Sequence, residues 1–179
     1  MKNISRILSP PRTAMEVFNL LPEGTLSEVV DNILYMSPAA SHEHQRISRI
    51  LLTQMHIFIE KKKLGEVFNA PLDVLLDKEN AFQPDIIFIS KENKGKLIPG
   101  GGFEGVPDLV IEILSSFNKN HDLVKKKKVY EQVGVKEYWV IDPVTRKARG
   151  FTLDNNAFQS LSVIIGKVKS NLLRKTFNF

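Results

Sequence analysis

The chain has 179 residues, of which 42% are hydrophobic and 25% are charged, and it contains no cysteine. This composition is typical of a globular protein, so we expect one domain over residues 1–179. The absence of cysteine excludes disulfides and thiolate metal sites and suits a reducing cytoplasm. No apolar run approaches the ~20 residues of a membrane span, and MKNISRILSPPRTAMEVF has no signal-peptide core, so we expect a cytoplasmic protein with no membrane association.

The first half of the chain predicts two helices around a hairpin. A short helix begins after Thr13, and a hairpin turns at Asp31 and Asn32. Ser41 is a plausible N-cap for a long helix that ends near Gly65. The inward stripe of this helix is predicted to be Ile47, Ile50, Leu51, Met55 and Phe58.

The second half of the chain predicts mainly strands. EVFNAPLDVLLD is one or two strands, QPDIIFIS is a short strand, and residues 91–107 are a loop. PDLVIEILSS is a buried strand, a lysine-rich helix ends before Gly134, and EYWVID is a further strand. A hairpin around DNNA then precedes a basic tail. The order of elements favours an α/β fold with a mixed sheet flanked by helices.

Glu112 interrupts the apolar strand PDLVIEILSS, and an unpaired buried carboxylate costs several kcal/mol, roughly. Two Pro-Asp dipeptides open apolar strands, and the first contains Asp85. If the two strands are neighbours, Asp85 and Glu112 can meet at one level on one face. Their mutual repulsion would then be relieved by a hard divalent cation, Mg²⁺ or Mn²⁺. The alternative is that Glu112 pairs with a buried Lys or Arg and that Asp85 caps a turn.

Helical geometry predicts which of the four lysines at 125–128 faces the protein interior. At ~100° per residue, Lys126 falls at the centre of the apolar face. Lys125, Lys127 and Lys128 fall at its margin or outside it, where they would be solvated or face phosphates. An inward lysine needs an anionic partner, which would be the Asp85–Glu112 site. The alternative is that Lys126 extends past Tyr130 to water.

Several stretches in one order resemble the Uma-two family of endonucleases, in the PD-(D/E)XK, restriction-endonuclease-like superfamily. They are LPEG…SEVVDN, SPAASHEHQRI, QPDIIFIS and PDLVIEILSS…D…K…Y…GVKEYWVIDP. The resemblance covers nearly the whole chain and implies a restriction-endonuclease-like core. It departs from the superfamily at Leu114, where a lysine is usual two residues after the second acid.

The resemblance implies four catalytic residues, which are Glu28, Asp85, Glu112 and Lys126, with Asp85 and Glu112 as metal ligands. His44 matches a recurrent histidine and is a candidate accessory residue. The implied activity is Mg²⁺- or Mn²⁺-dependent hydrolysis of DNA phosphodiester bonds. Lys125, Lys127 and Lys128 would contact the DNA backbone without reading sequence.

Two other classes of function remain open because of Leu114. The chain could be a catalytically silent nucleic-acid-binding module, or a protein-interaction domain in which Asp85 and Glu112 belong to an ordinary ion-pair network. By analogy with nucleases that act on two strands, a homodimer is a further expectation. The net charge of +5 favours anionic partners in general but does not by itself indicate DNA.

Overall fold

The structure is a computed structural model that describes residues 10–115 and 121–179. The helices are α1 Ala14–Phe18, α2 His42–Lys62 and α3 Lys127–Val133, the last preceded by a π-helical segment, His121–Lys126. The strands are β1 Ser27–Val30, β2 Ile33–Met36, β3 Gly65–Asn69, β4 Val74–Leu75, β5 Ala81–Phe82, β6 Ile86–Ser90, β7 Lys96–Leu97, β8 Phe103–Glu104, β9 Leu109–Ile113, β10 Glu137–Ile141, β11 Lys147–Asp154, β12 Ala157–Ser160, β13 Ile164–Ile165, β14 Lys167–Ser170 and β15 Lys175–Asn178.

The strands form three sheets. The larger sheet has the order β12-β11-β10-β9-β6-β3, with β13 added beside β11. The smaller sheet has the order β2-β1-β5-β4-β8-β7, and β14 pairs with β15. Strands β9 and β10 run parallel, whereas β6 runs antiparallel to β9, so the larger sheet is mixed as predicted.

The larger sheet separates two apolar cores. On one face, α2 and the β14–β15 hairpin cover Leu109, Ile111 and Ile113 of β9. On the other face, Val110 packs in a second core with residues from α3 and from the smaller sheet. This alternation follows from the period of two along a strand. It places Glu112 on the second face, between the larger sheet and the elements that cover it.

Local signals in the sequence correctly predicted the first elements. Thr13 Oγ1 accepts a hydrogen bond from Glu16 N (3.1 Å), and Ser41 Oγ accepts one from His44 N (3.3 Å), so both predicted N-caps are confirmed. Asp31 and Asn32 have φ values of 49° and 56°, as the turn of a tight hairpin requires. Helix α2 ends at Lys62, and the next residue, Lys63, adopts a left-handed conformation.

Three details differ from the prediction. Residues 91–107, expected to form a loop, contain β7 and β8. These two strands pair with each other, and β8 also pairs with β4 in the smaller sheet. The basic tail forms the β14–β15 hairpin, whose apolar side chains complete the first core. In α2, Ile50 and Phe58 are only partly buried, and Ile59 is fully buried instead.

In the part of the chain that the structure describes, no helix has the length and apolar character needed to cross a membrane.

Candidate functional site

Asp85 and Glu112 lie on neighbouring strands. Strand β6 pairs with β9 in a register that places Ile86 opposite Ile111. Continuing this antiparallel register by one residue puts Asp85 opposite Glu112, and opposite residues share a face of a sheet. The expectation that the two Pro-Asp strands are adjacent is therefore confirmed. Both side chains line one cavity of about 170 Å³.

Glu28 reaches the same cavity from the smaller sheet. Its side chain, on β1, is almost fully buried, and its Oε1 accepts a hydrogen bond from Gln83 N at 2.9 Å. Glu28 thus approaches Glu112 from across the interface between the two sheets. Sequence reasoning did not predict the role of Gln83, because its contribution is a backbone N–H that carries no side-chain signal.

Lys126 joins these two acids. Its side chain is only 4% exposed, and Nζ lies 2.7 Å from Glu28 Oε1 and 3.1 Å from Glu112 Oε1. The helical geometry that placed Lys126 on the inward face is thus confirmed, although the residue ends a π-helical segment rather than lying within an α-helix. A buried ammonium is tolerated here because two carboxylates accept hydrogen bonds from it.

Tyr130 completes this network one helical turn after Lys126. Its hydroxyl donates a hydrogen bond to Glu112 Oε1 at 2.7 Å, and the side chain is fully buried. Burial and the nearby charge of Glu112 raise the pKa of the Tyr130 hydroxyl well above its ordinary value, so it remains a donor at neutral pH. Tyr130 was not predicted from the sequence to belong to the site; its four-residue spacing from Lys126 was the available signal.

Asp85 is held by two donors. Its Oδ2 accepts a hydrogen bond from Ile113 N at 2.7 Å and lies 3.0 Å from His44 Nε2. His44 is in the first turn of α2 and lines the same cavity. The structure therefore brings together Glu28, Asp85, Glu112 and Lys126, with His44 beside Asp85.

The other lysines of the run lie outside this cavity. Lys125 Nζ is 3.0 Å from Tyr35 OH, and Lys127 Nζ lies 4.5 Å from the centre of the Phe151 ring. Lys128 is exposed. Two of these three predicted DNA contacts thus already have partners within the protein.

Leu114 lies in the second core and is only 6% exposed. The side chain two residues after Glu112 is therefore part of an apolar core. The ammonium group that contacts Glu112 comes instead from Lys126, in the helical segment that precedes α3. The departure from the superfamily pattern leaves Glu112 with a lysine partner.

The donor set fits a hydrated Mg²⁺ ion better than a closed protein cage. Among residues 10–115 and 121–179, no three His, Cys, Asp or Glu side chains are grouped closely enough to hold a metal. Mg²⁺ usually binds through one or two carboxylates and keeps several waters, which Asp85 and Glu112 can satisfy. The cavity has room for these waters, since each takes ~30 Å³. The buried hydroxyl of Ser115, which lines the cavity, has no hydrogen-bond partner in the described part of the chain.

A mixed sheet with acids on two adjacent strands and a lysine against the second acid defines the restriction-endonuclease-like class of fold. The model of the Uma2 family, described as "Putative restriction endonuclease", matches residues 15–174, and the chain belongs to this family. A solved structure with the same fold is a "putative nuclease belonging to DUF820" from Anabaena variabilis ATCC 29413. It is 19% identical, with a TM-score of 0.68 and 84% of each chain covered. No curated protein matches the chain.

Proposed function

We propose that this protein is a metal-dependent endonuclease that hydrolyses DNA phosphodiester bonds. The observation that carries the proposal is the position of the Lys126 ammonium, which lies 3.1 Å from Glu112 in the cavity that Asp85 also lines. This arrangement retains the acids and the lysine of the superfamily despite Leu114. Family membership supports the same reaction class.

The charge of the cavity supports a divalent cation. Among the described residues that line it, Glu28, Asp85 and Glu112 supply three carboxylates, and Lys126 supplies one ammonium. With all four ionised and His44 neutral, one positive and three negative charges leave a net charge of −2. An Mg²⁺ or Mn²⁺ ion would balance this charge, which is costly to keep beside the buried side chains of Glu28 and Glu112.

The metal would bind Asp85 and Glu112, and when bound it would polarise a phosphoryl oxygen and lower the pKa of an attacking water. Lys126 would orient that water or stabilise the negative charge that develops on the phosphorus-bound oxygens. Glu28 would hold the Lys126 ammonium in place, through the contact at 2.7 Å. Tyr130 would fix Glu112, and His44 would fix Asp85, so that both acids are oriented before the substrate binds.

A nicking assay on supercoiled plasmid tests this proposal. The wild-type protein should nick the plasmid with Mn²⁺ or Mg²⁺ and lose activity in chelator. Asp85→Asn and Glu112→Ala should each lower the rate at least 100-fold, roughly, because each removes a carboxylate that would hold the charge-stabilising metal ion. Nicking by both variants at the wild-type rate would assign the activity to another site or to a contaminant. DNA binding without any nicking by the wild type would favour a catalytically silent module.

A further inference from the structure

A polar groove of about 750 Å³ lies on the outward face of the first half of α2. His42, Arg46 and Arg49 line it. Their spacings of four and three residues place the three side chains in one stripe along the helix. Of the residues in the described ranges that line it, none is acidic. Arg46 and Arg49 therefore give the groove positive charge along about one helical turn.

The two arginines are available for an external partner. Both are exposed, and neither guanidinium forms an ion pair or hydrogen bond with another residue in the described ranges. Lys125 and Lys127, in contrast, contact Tyr35 and Phe151. His42 contacts Glu43 within the protein. Arg46 and Arg49 thus carry the uncompensated charge of the groove.

The groove adjoins the cavity of the proposed nuclease site. Ala40 and Gln45 line both spaces. A chain lying in the groove would therefore pass close to the cavity that Asp85 and Glu112 line. Arg46 and Arg49 lie ~4.5 Å apart along the helix axis, so both long side chains can reach one short stretch of a nucleic-acid strand.

We propose that Arg46 and Arg49 bind consecutive backbone phosphates of a DNA strand whose scissile phosphate lies in the adjacent cavity. This inference rests on the proposed function and adds the path of the substrate. Arginine suits this task because its planar guanidinium can donate two parallel hydrogen bonds to one phosphate. The groove contacts would position the strand without specifying its sequence. The main phosphate contacts would accordingly come from α2 rather than from the lysine run.

Fluorescence anisotropy with a labelled 20-base-pair DNA duplex, measured in EDTA at several salt concentrations, tests the groove. Arg46→Gln/Arg49→Gln should reduce the slope of log K against log salt by about 1.8, since each phosphate contact contributes ~0.9. At 0.1 M salt, this change in slope makes the variant bind DNA about 60-fold more weakly than the wild type. Arg46→Lys/Arg49→Lys should recover most of the slope, because the charges return.

The matched control is Lys61→Gln/Lys62→Gln, which removes the same charge from the other end of the same helix. This control should keep the wild-type slope, because neither lysine lines the groove. Circular dichroism confirms that each variant is folded. An unchanged slope for the arginine variant, or an equal loss for the control, would overturn the proposal. A slope change seen only with an RNA duplex of the same sequence would also overturn it.

Measuring DNA binding and DNA nicking separately distinguishes a failure of the groove proposal from a failure of the proposed nuclease function. In the nicking assay, Arg46→Gln/Arg49→Gln should raise KM for DNA and leave kcat within about threefold, because neither side chain touches the reacting atoms. A wild-type protein that binds through the groove but never cuts would refute the nuclease and retain the groove. A nuclease whose salt dependence ignores both arginines would retain the nuclease and refute the groove.

Discussion

Lys126 lies between two buried carboxylates that belong to different sheets, and its ammonium donates to both. The same contact serves stability and the proposed chemistry. Replacing the lysine would leave Glu28 and Glu112 facing each other without its ammonium between them. Lys128 offers a comparison, since it has the same chemistry two residues further on and is exposed.

Lys126→Met should abolish nicking and lower the free energy of unfolding by about 3 kcal/mol, because an ion pair broken from one side strands buried charge. Methionine keeps most of the apolar stem, so the loss reports on the charge rather than on packing. Lys128→Met should nick at nearly the wild-type rate and change stability by less than about 0.5 kcal/mol. Urea unfolding and plasmid nicking measure the two effects. Normal turnover by folded Lys126→Met would remove this residue from the mechanism.

Asp108 shows that the second Pro-Asp dipeptide has a structural role at the start of β9. Its buried carboxylate accepts hydrogen bonds from Ser90 N (2.8 Å), from Asn93 Nδ2 (2.7 Å) and from Lys136 Nζ (2.5 Å). Burial raises the pKa of the Asp108 carboxyl, but the bonds from Lys136, Ser90 and Asn93 outweigh it and hold the pKa below the ordinary value of 3.8. These contacts join β9, the end of β6 and the segment before β10.

A depressed pKa means that the folded protein binds this proton more weakly than the unfolded chain does. Asp108 therefore stabilises the fold above pH 3.8, and this contribution disappears as the pH falls through the lower folded pKa. Asp108→Asn should lower the free energy of unfolding at pH 7 by about 2 kcal/mol, as expected for hydrogen bonds to a charged group. It should also flatten the loss of stability below about pH 4. Urea titrations across this range measure both effects.

The comparison for Asp108→Asn is Glu104→Gln. Glu104 also pairs with a lysine, Lys96, at 2.9 Å, but both side chains are more than half exposed. Water screens such a pair, so the substitution should change stability little at any pH. A loss for Glu104→Gln as large as that for Asp108→Asn would show that burial is not the source of the effect.

The whole molecule carries a net charge of +5, and its effect on DNA affinity depends on where the charges lie. The proposed path runs along α2, and Lys125 is engaged with Tyr35. Lys125→Gln/Lys128→Gln should therefore reduce the salt slope by less than the ~1.8 expected for two phosphate contacts. Its kcat at saturating DNA should remain close to that of the wild type. A reduction of the salt slope by the full ~1.8 would show that these lysines contact the DNA backbone, as the sequence predicted.

Features that depend on residues within one or two helical turns were predictable from the sequence. The N-caps Thr13 and Ser41, the turn at Asp31 and Asn32, and the inward face of Lys126 all follow from local geometry. The continuous apolar run around Glu112 also predicted a buried strand in which this carboxylate needs a partner. Glu28 and His44 came from family resemblance, since no local pattern links either residue to the Asp85 strand.

Contacts between segments distant in sequence were decided by the tertiary structure. Lys126 could have met any anion, and only the packing of the two sheets selected Glu28 and Glu112 together. The strands β7 and β8, hidden in a predicted loop, form because β4 supplies an edge to pair with. The groove beside the cavity likewise depends on how α2 lies against β3. Helical and strand periods act over a few residues, whereas sheet pairing and side-chain contacts depend on which distant surfaces burial brings together.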